Sequence, residues 1–452
     1  MSELWSVNPS TGAVVGSVQR TSLDEVAQAI GRARAAAPAW VRLGIEGRAA
    51  LLATAEPALR AAAPKLARLL TLEMGKIARD AVGEVDHVVS VYASDVRAIA
   101  DALAPQVIED ARLRSELVRD PLGVAVCITP WNYPVLMPHE QILPALIAGN
   151  PVIFKPSEET PLVGQAFAAL LQAVLPPDVL QVVQGDGEQG RALVAGDVDL
   201  IAFTGSRATG LHIAAQAARS LKRLVLELGG KDPLIVLPGA ELDAAVAFAA
   251  RNTFGNAGQV CVSTERIFVH RELHDAFVAA LVERAKSYTV GDGFAPGVRV
   301  GPMVHARQKQ LVLDQVAAAV VDGARVAWAH DPLPGCFLGP MVLTDVVDTM
   351  RLAQEETFGP VASVSAFATV DEAIVRANAT RYALGASVYG PEALAERVAR
   401  RLSAGMVGVN QGCGGAAGTP WVGARQSGMG FHSGAEGHRN FAQVRVLTWA
   451  KA

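Results

Sequence analysis

The chain has 452 residues, of which 51% are apolar and 19% charged, and its formal net charge is −4. That length exceeds what one hydrophobic core ordinarily supports, so two or more domains are expected. The mild acidic balance, without clustered Lys and Arg, argues against nucleic-acid binding, and no apolar run is long enough for a membrane span.

The opening, Met1-Ser2-Glu3-Leu4-Trp5, lacks a basic region leading into an apolar one, so no secretory signal is expected. Ser22-Leu23-Asp24-Glu25 sets a hydroxyl and a carboxylate three residues apart before an apolar-periodic run, the pattern of a capping box. Three helices are predicted, near 23–37, 46–72 and 80–102, with Pro57 and Pro64 kinking or dividing the second. The stretch 113–119 alternates loosely, and 123–128 reads as a buried strand. Up to about 237, predicted strands at 152–154, 180–183, 200–203 and 223–226 alternate with helices near 138–148, 161–174, 187–195 and 206–219. Such alternation predicts a parallel, doubly wound α/β sheet.

A second α/β series has predicted helices near 241–256, 272–286, 305–321, 370–378 and 391–403, and strands near 265–269, 361–367, 385–389 and 406–410. Residues 412–434, rich in Gly, read as loop. Residues 441–449 alternate like a strand, and a strand so near the C-terminus often pairs outside its own domain.

Cys261 carries the chemistry. It ends Phe254-Gly255-Asn256-Ala257-Gly258-Gln259-Val260-Cys261, 34 residues after Glu227 and 129 after Asn132. Thiol, carboxylate and amide are the nucleophile, base and oxyanion donor of acyl chemistry. The other cysteines, Cys127, Cys336 and Cys413, form no CxxC pair, so a reducing, cytoplasmic compartment fits better than a disulfide framework. Gly185-Asp186-Gly187-Glu188-Gln189-Gly190 matches a dinucleotide fingerprint, but its two acids would face a diphosphate, and a plain turn is the better reading. Phe203-Thr204-Gly205-Ser206 also joins strand to helix and suits a phosphate better. Lys155-Pro156-Ser157-Glu158 stands at a strand's carboxyl end, where either ribose contacts or a surface ion pair would fit. His270 and His274 lack partners at metal-ligand spacing; they read as surface residues, and no metal is expected.

Together, Pro130-Trp131-Asn132, Lys155-Pro156-Ser157-Glu158, Phe203-Thr204-Gly205-Ser206, Leu226-Glu227-Leu228-Gly229-Gly230-Lys231, the Phe254–Cys261 segment and Glu355-Glu356-Thr357-Phe358-Gly359-Pro360 resemble the NAD(P)-dependent aldehyde dehydrogenase superfamily, in its motif order and over nearly the whole chain. The resemblance implies a Rossmann-type NAD-binding domain (1–103 and 122–228), an α/β catalytic domain (229–435) and a small β oligomerisation element (104–121 and 436–452) that makes homodimers or homotetramers.

By the same resemblance, Cys261 is the nucleophile, Glu227 the general base and Asn132 part of the oxyanion hole. Trp131, Lys155, Glu158, Gly205, Ser206, Glu356 and Phe358 are implied cofactor-binding residues. Glu158 would repel a 2′-phosphate, favouring NAD over NADP. The presence of Glu227 favours release of a free carboxylic acid over transfer to coenzyme A. The aldehyde stays open among semialdehyde, aromatic and aliphatic classes, succinate semialdehyde among them; Val260 and Val262 lean towards an apolar pocket. Two departures stand out. The family's usual Gly-Gly-x-Lys-x-Ser-Gly reads Val422-Gly423-Ala424-Arg425-Gln426-Ser427-Gly428, and Phe431-His432-Ser433-Gly434 lacks the common Arg-Glu pair.

Overall fold

The computed structural model describes residues 2–451. The capping box forms as predicted: Glu25 N–H donates to the Ser22 hydroxyl at 3.2 Å, Ser22 N–H donates to the Glu25 carboxylate at 2.7 Å, and helix Leu23–Arg42 follows. The predicted second helix is two, Gly44–Ala53 and Glu56–Met74. Pro57 sits in the first turn of the latter, where its missing N–H costs nothing, while Pro64 lies inside it. Helix Ala78–Leu103 turns its buried Val85, Val88, Tyr92 and Ile99 onto this layer and onto helix Leu136–Ala148.

The first sheet holds six strands in the order Gly428–Met429, Arg223–Leu228, Leu200–Gly205, Ala125–Ile128, Val152–Lys155, Leu180–Val182. All neighbours are parallel except the two-residue strand Gly428–Met429. Val152–Lys155 is buried throughout, as a strand covered by helices on both faces must be. The chain order reverses between Ala125–Ile128 and Leu200–Gly205. That crevice at the carboxyl ends is where such sheets bind ligands.

The second sheet has seven strands, ordered Arg325–Ala329, Met341–Thr344, Val361–Phe367, Thr264–His270, Asp232–Val236, Gly385–Tyr389, Met406–Val409. Sequence reasoning misses one of its interior strands, Asp232–Val236. Only Gly229-Gly230-Lys231 separates it from Arg223–Leu228, so two buried strands read as one apolar stretch. Here the chain passes directly from one sheet to the other. Also missed are the pair Arg325–Ala329 and Met341–Thr344 and the N-terminal hairpin Glu3–Val7 with Val14–Gln19, whereas strand Gln106–Glu109 falls within the implied β element at 104–121.

A third sheet is antiparallel. Ala442–Ala450 pairs along Leu113–Pro121, which pairs with Gln106–Glu109 on its other side. The terminal strand does leave the sheet nearest it in sequence, and Val107, Ile108, Val444, Val446 and Trp449 are exposed on this small element.

Candidate active site

Eight of the ten sequence-predicted site residues line one cavity of about 450 Å³: Trp131, Asn132, Gly205, Ser206, Glu227, Cys261, Glu356 and Phe358. It opens where the two sheets meet. Trp131 and Asn132 follow the carboxyl end of Ala125–Ile128, Gly205 ends strand Leu200–Gly205 with Ser206 next, and Glu227 is the penultimate residue of its own strand. Lys155, which ends the next strand over, and Glu158, which follows it, stand outside this cavity. There the Lys155 ammonium is buried and donates to Pro156 O at 3.1 Å and to Glu158 at 3.4 Å. Burial lowers its pKa, against the pull of Glu158.

Cys261 reaches the cavity through a strained approach. Asn256 and Ala257 have φ of 51° and 56°, and Gly258 has φ of 72°. A Cβ on Gly258 would lie 2.1 Å from Gly359 O, so only glycine lets the cysteine segment pack on the Glu355–Pro360 segment. Buried Gln259 locks the loop: its side chain donates to Asn256 O at 3.1 Å and accepts from Val304 N–H at 2.8 Å. Its carbonyl accepts one N–H of the Asn132 amide at 3.1 Å, which ties the oxyanion candidate to the nucleophile's own loop.

The two acids differ in setting. Glu227 is buried at the cavity wall; Trp421 Nε1–H donates to its Oε1 at 3.4 Å and its Oε2 has no partner. Burial raises its pKa, opposed by His432, Cys261, Trp421 and Thr204. Glu356 accepts from Gly230 N–H at 3.2 Å, and burial raises it well above the usual carboxyl range. The Cys261 thiol is also held well above its ordinary value, first by burial and then by the Glu227 carboxylate.

Two buried ion pairs, unassigned by sequence reasoning, frame the cavity. Lys76 pairs with Glu84, donates to Asn132 O at 2.7 Å and lies 3.9 Å from the Tyr133 ring centre. Glu84 in turn accepts from Val135 N–H and Leu136 N–H at 3.0 and 3.1 Å, the first N–H groups of helix Leu136–Ala148. Lys231 pairs with Glu265, which accepts from Phe358 N–H at 2.9 Å. That bond holds Phe358, at φ 51°, edge-on to Trp131 with ring centres 5.4 Å apart. Lys231 lies within a quoted motif, but its partner is 34 residues on and no spacing rule points there.

One wall of the cavity suits a diphosphate. Ser206 caps helix Arg207–Ala217, whose N-terminus faces the cavity at Gly205 and Ser206, a ready site for a diphosphate. The GxGxxG match is a turn: Asp186 caps helix Gly187–Ala195 and accepts from Arg20 at 2.7 Å. His270 and His274 are not the surface pair expected, since both are partly buried and His270 packs on Phe367. Asp95, His139 and Glu140 could in principle surround a cation, but His139 Nε2 already bonds Asp95 at 2.8 Å.

A sequence profile of the aldehyde dehydrogenase family matches residues 2–447. The chain is 37% identical to a probable succinate-semialdehyde dehydrogenase [NADP(+)] of Sinorhizobium fredii, over 97% of this chain and 91% of that one. It is 36% identical to a betaine aldehyde dehydrogenase of Cereibacter sphaeroides, over 98% and 92%. Among solved structures it resembles lactaldehyde dehydrogenase from Escherichia coli, at a TM-score of 0.95, 33% identity and coverage of 99% and 96%. Betaine aldehyde dehydrogenase from Staphylococcus aureus in complex with NAD+ gives 0.95, 32%, and 99% and 91%. The fold, the cavity at the sheet switch point and these likenesses agree: the chain belongs to the aldehyde dehydrogenase family, oxidoreductases that act on aldehydes using NAD(P).

Proposed function

We propose that this protein oxidises an aldehyde to the free carboxylic acid, with Cys261 as nucleophile. The observation that carries this is the meeting of Cys261, Glu227 and Asn132 in one cavity with Trp131, Gly205, Ser206, Glu356 and Phe358, the residues expected to hold the cofactor. Cys261 gives its thiol proton up to solvent, and the resulting thiolate sulfur bonds to the aldehyde carbon, giving a thiohemiacetal whose oxyanion faces the Asn132 amide and the Cys261 backbone N–H. A bound nicotinamide dinucleotide supplies the hydride acceptor, and a Cys261 thioester is left. Glu227 then takes a proton from water, whose hydroxide displaces the Cys261 thiolate and releases the acid. An oxyanion donor of this kind contributes about 10²–10³ in rate. Cys261→Ala should abolish NADH formation with every aldehyde; persistence of activity would refute the assignment. NADH formation only in the presence of coenzyme A would replace hydrolysis by acyl transfer.

NAD is the proposed cofactor, because Glu158 and Glu159 place two carboxylates beside the Lys155 strand end, where a 2′-phosphate would be repelled. Homo-oligomers are proposed through the three-stranded sheet, whose edges carry Val107, Ile108, Val444 and Val446 in the open. Val446→Asp should lower the mass seen by light scattering.

For substrate, a second cavity of about 360 Å³ borders Tyr133 and Val260, the neighbours of Asn132 and Cys261. Its lining includes Asp80, His87, Arg251, Asn252 and Asn256, so it is more polar than Val260 and Val262 suggested. A polar aldehyde such as a semialdehyde carboxylate fits the Arg251 side. In an aldehyde screen, Arg251→Ala should raise KM for semialdehydes selectively.

A further inference from the structure

The departure at Phe431-His432-Ser433 places a histidine beside the base. His432 is buried, and its ring stacks on Trp421, centres 6.5 Å apart and planes 16° apart. Trp421 is the residue whose indole N–H reaches Glu227 Oε1. Behind His432, Ser433 Oγ donates to Glu140 Oε2 at 2.6 Å and lies 2.8 Å from His432 Nδ1. Since the serine's proton goes to Glu140, its oxygen accepts from Nδ1–H, and neutral His432 keeps its lone pair on Nε2. Nε2 has no partner, and neither has Glu227 Oε2.

We propose that His432, oriented by Ser433 and Glu140, is a positioning residue that takes the proton from Glu227 through one water and returns the base to its carboxylate form. This rests on the reading of Glu227 as the hydrolytic base. The proton on water goes to Glu227 Oε2, then to His432 Nε2, and the imidazolium faces the Glu140 carboxylate 3.7 Å away. Glu140 suits that role. Burial pushes it up, but His432, His139 and Ser433 outweigh burial and hold it at about 2, so it stays ionised. The other titratable groups packed here are His139 beside Glu140, Asp95 on helix Ala78–Leu103 and His438 on helix Gly434–Arg439, which burial lowers to about 4 and keeps neutral. Among the groups near Glu227, His432 acts to lower its pKa.

Deacylation tests this without cofactor. 4-Nitrophenyl acetate should acylate Cys261, with one nitrophenolate released per site before hydrolysis sets the rate. His432→Gln should keep that burst but slow deacylation about 10- to 100-fold, part of what a general base contributes. Its acid limb should move to higher pH, since Glu227 loses a neighbour that lowers its pKa. Ser433→Ala, which keeps the imidazole but frees it, should move both in the same direction by less, and decides the matter if His432→Gln does not fold. Deacylation within twofold of wild type, with an unmoved acid limb, in the folded variants would overturn the relay. A burst surviving Cys261→Ala would instead overturn the Cys261–Glu227 reading, and the relay with it.

Discussion

Gly258 and Gly255 lie three residues apart in the segment that presents Cys261, and the structure predicts opposite outcomes for the same substitution. At Gly258, alanine must adopt φ of +72°, and its Cβ would stand 2.1 Å from Gly359 O and 2.2 Å from its carbon. A left-handed conformation costs an L-residue about 1–2 kcal/mol, and overpacking costs about 1–3 kcal/mol. Backbone, not a flexible side chain, is the obstacle, so Gly258→Ala should lose about 2–5 kcal/mol in urea denaturation. Relief can come only by shifting the Cys261 loop or the Glu356–Phe358 loop. Since a displacement of about 1 Å can cost about 10² in rate, kcat/KM should fall by about that factor in the molecules that remain folded. At Gly255 φ is −57° and nothing lies within 4 Å of the added Cβ. Gly255→Ala should stay within about 0.5 kcal/mol of wild type. Equal urea midpoints and equal kcat/KM for the two variants would refute the packing argument.

Other perturbations probe the remaining parts. Lys76→Met strands the Glu84 carboxylate in a buried site and should cost about 3–5 kcal/mol; adding Glu84→Gln should recover part of it, as read by urea midpoints. Glu158→Ser should raise the ratio of kcat/KM for NADP to that for NAD by roughly tenfold or more, because a like charge beside a phosphate costs several kcal/mol; an unchanged ratio would remove Glu158 from cofactor choice. Glu227→Gln bears on the thiol's titration. The ionised Glu227 raises the Cys261 pKa, so its neutral replacement should lower that pKa and speed iodoacetamide alkylation between pH 7 and 9, roughly the range below an ordinary thiol pKa. Slower alkylation would instead make Glu227 the base that deprotonates the thiol.

What the sequence discloses follows its local periodicities and short motifs. The capping box at Ser22 and the strands before Trp131, Lys155 and Gly205 are readable because each is set by neighbours within a few residues. Asp232–Val236 escapes because a strand that enters a second sheet after three residues has no turn signature of its own. The eight cavity residues are brought together by sheet order, which motif order implies only through the family resemblance. Glu84, Glu265 and Gln259 were invisible for a different reason. Their value lies in bonds to backbone N–H and C=O groups far along the chain, and backbone groups leave no mark in the sequence. His432 was visible as a departure from the family pattern, yet its relation to Glu227 needed Trp421 and the fold.

The two buried ion pairs show what such burial contributes. A buried pair is often no more stabilising than apolar residues of equal volume, because desolvation offsets the attraction. Lys76–Glu84 and Lys231–Glu265 each do something apolar residues could not. Glu84 collects the N–H groups that begin helix Leu136–Ala148 while Lys76 holds Asn132 O, so the oxyanion candidate is fixed from both sides. Glu265 collects Thr357 and Phe358 N–H while Lys231 holds the Thr357 hydroxyl at 2.9 Å. That set maintains a non-glycine residue, Phe358, at positive φ, a conformation that persists only where surroundings over-determine it. Each pair acts on one of the segments that converge on Cys261, chiefly through backbone atoms and not through the reacting groups. The charges are therefore placed to fix geometry, and their cost in desolvation is carried by the large apolar cores on which both sheets pack.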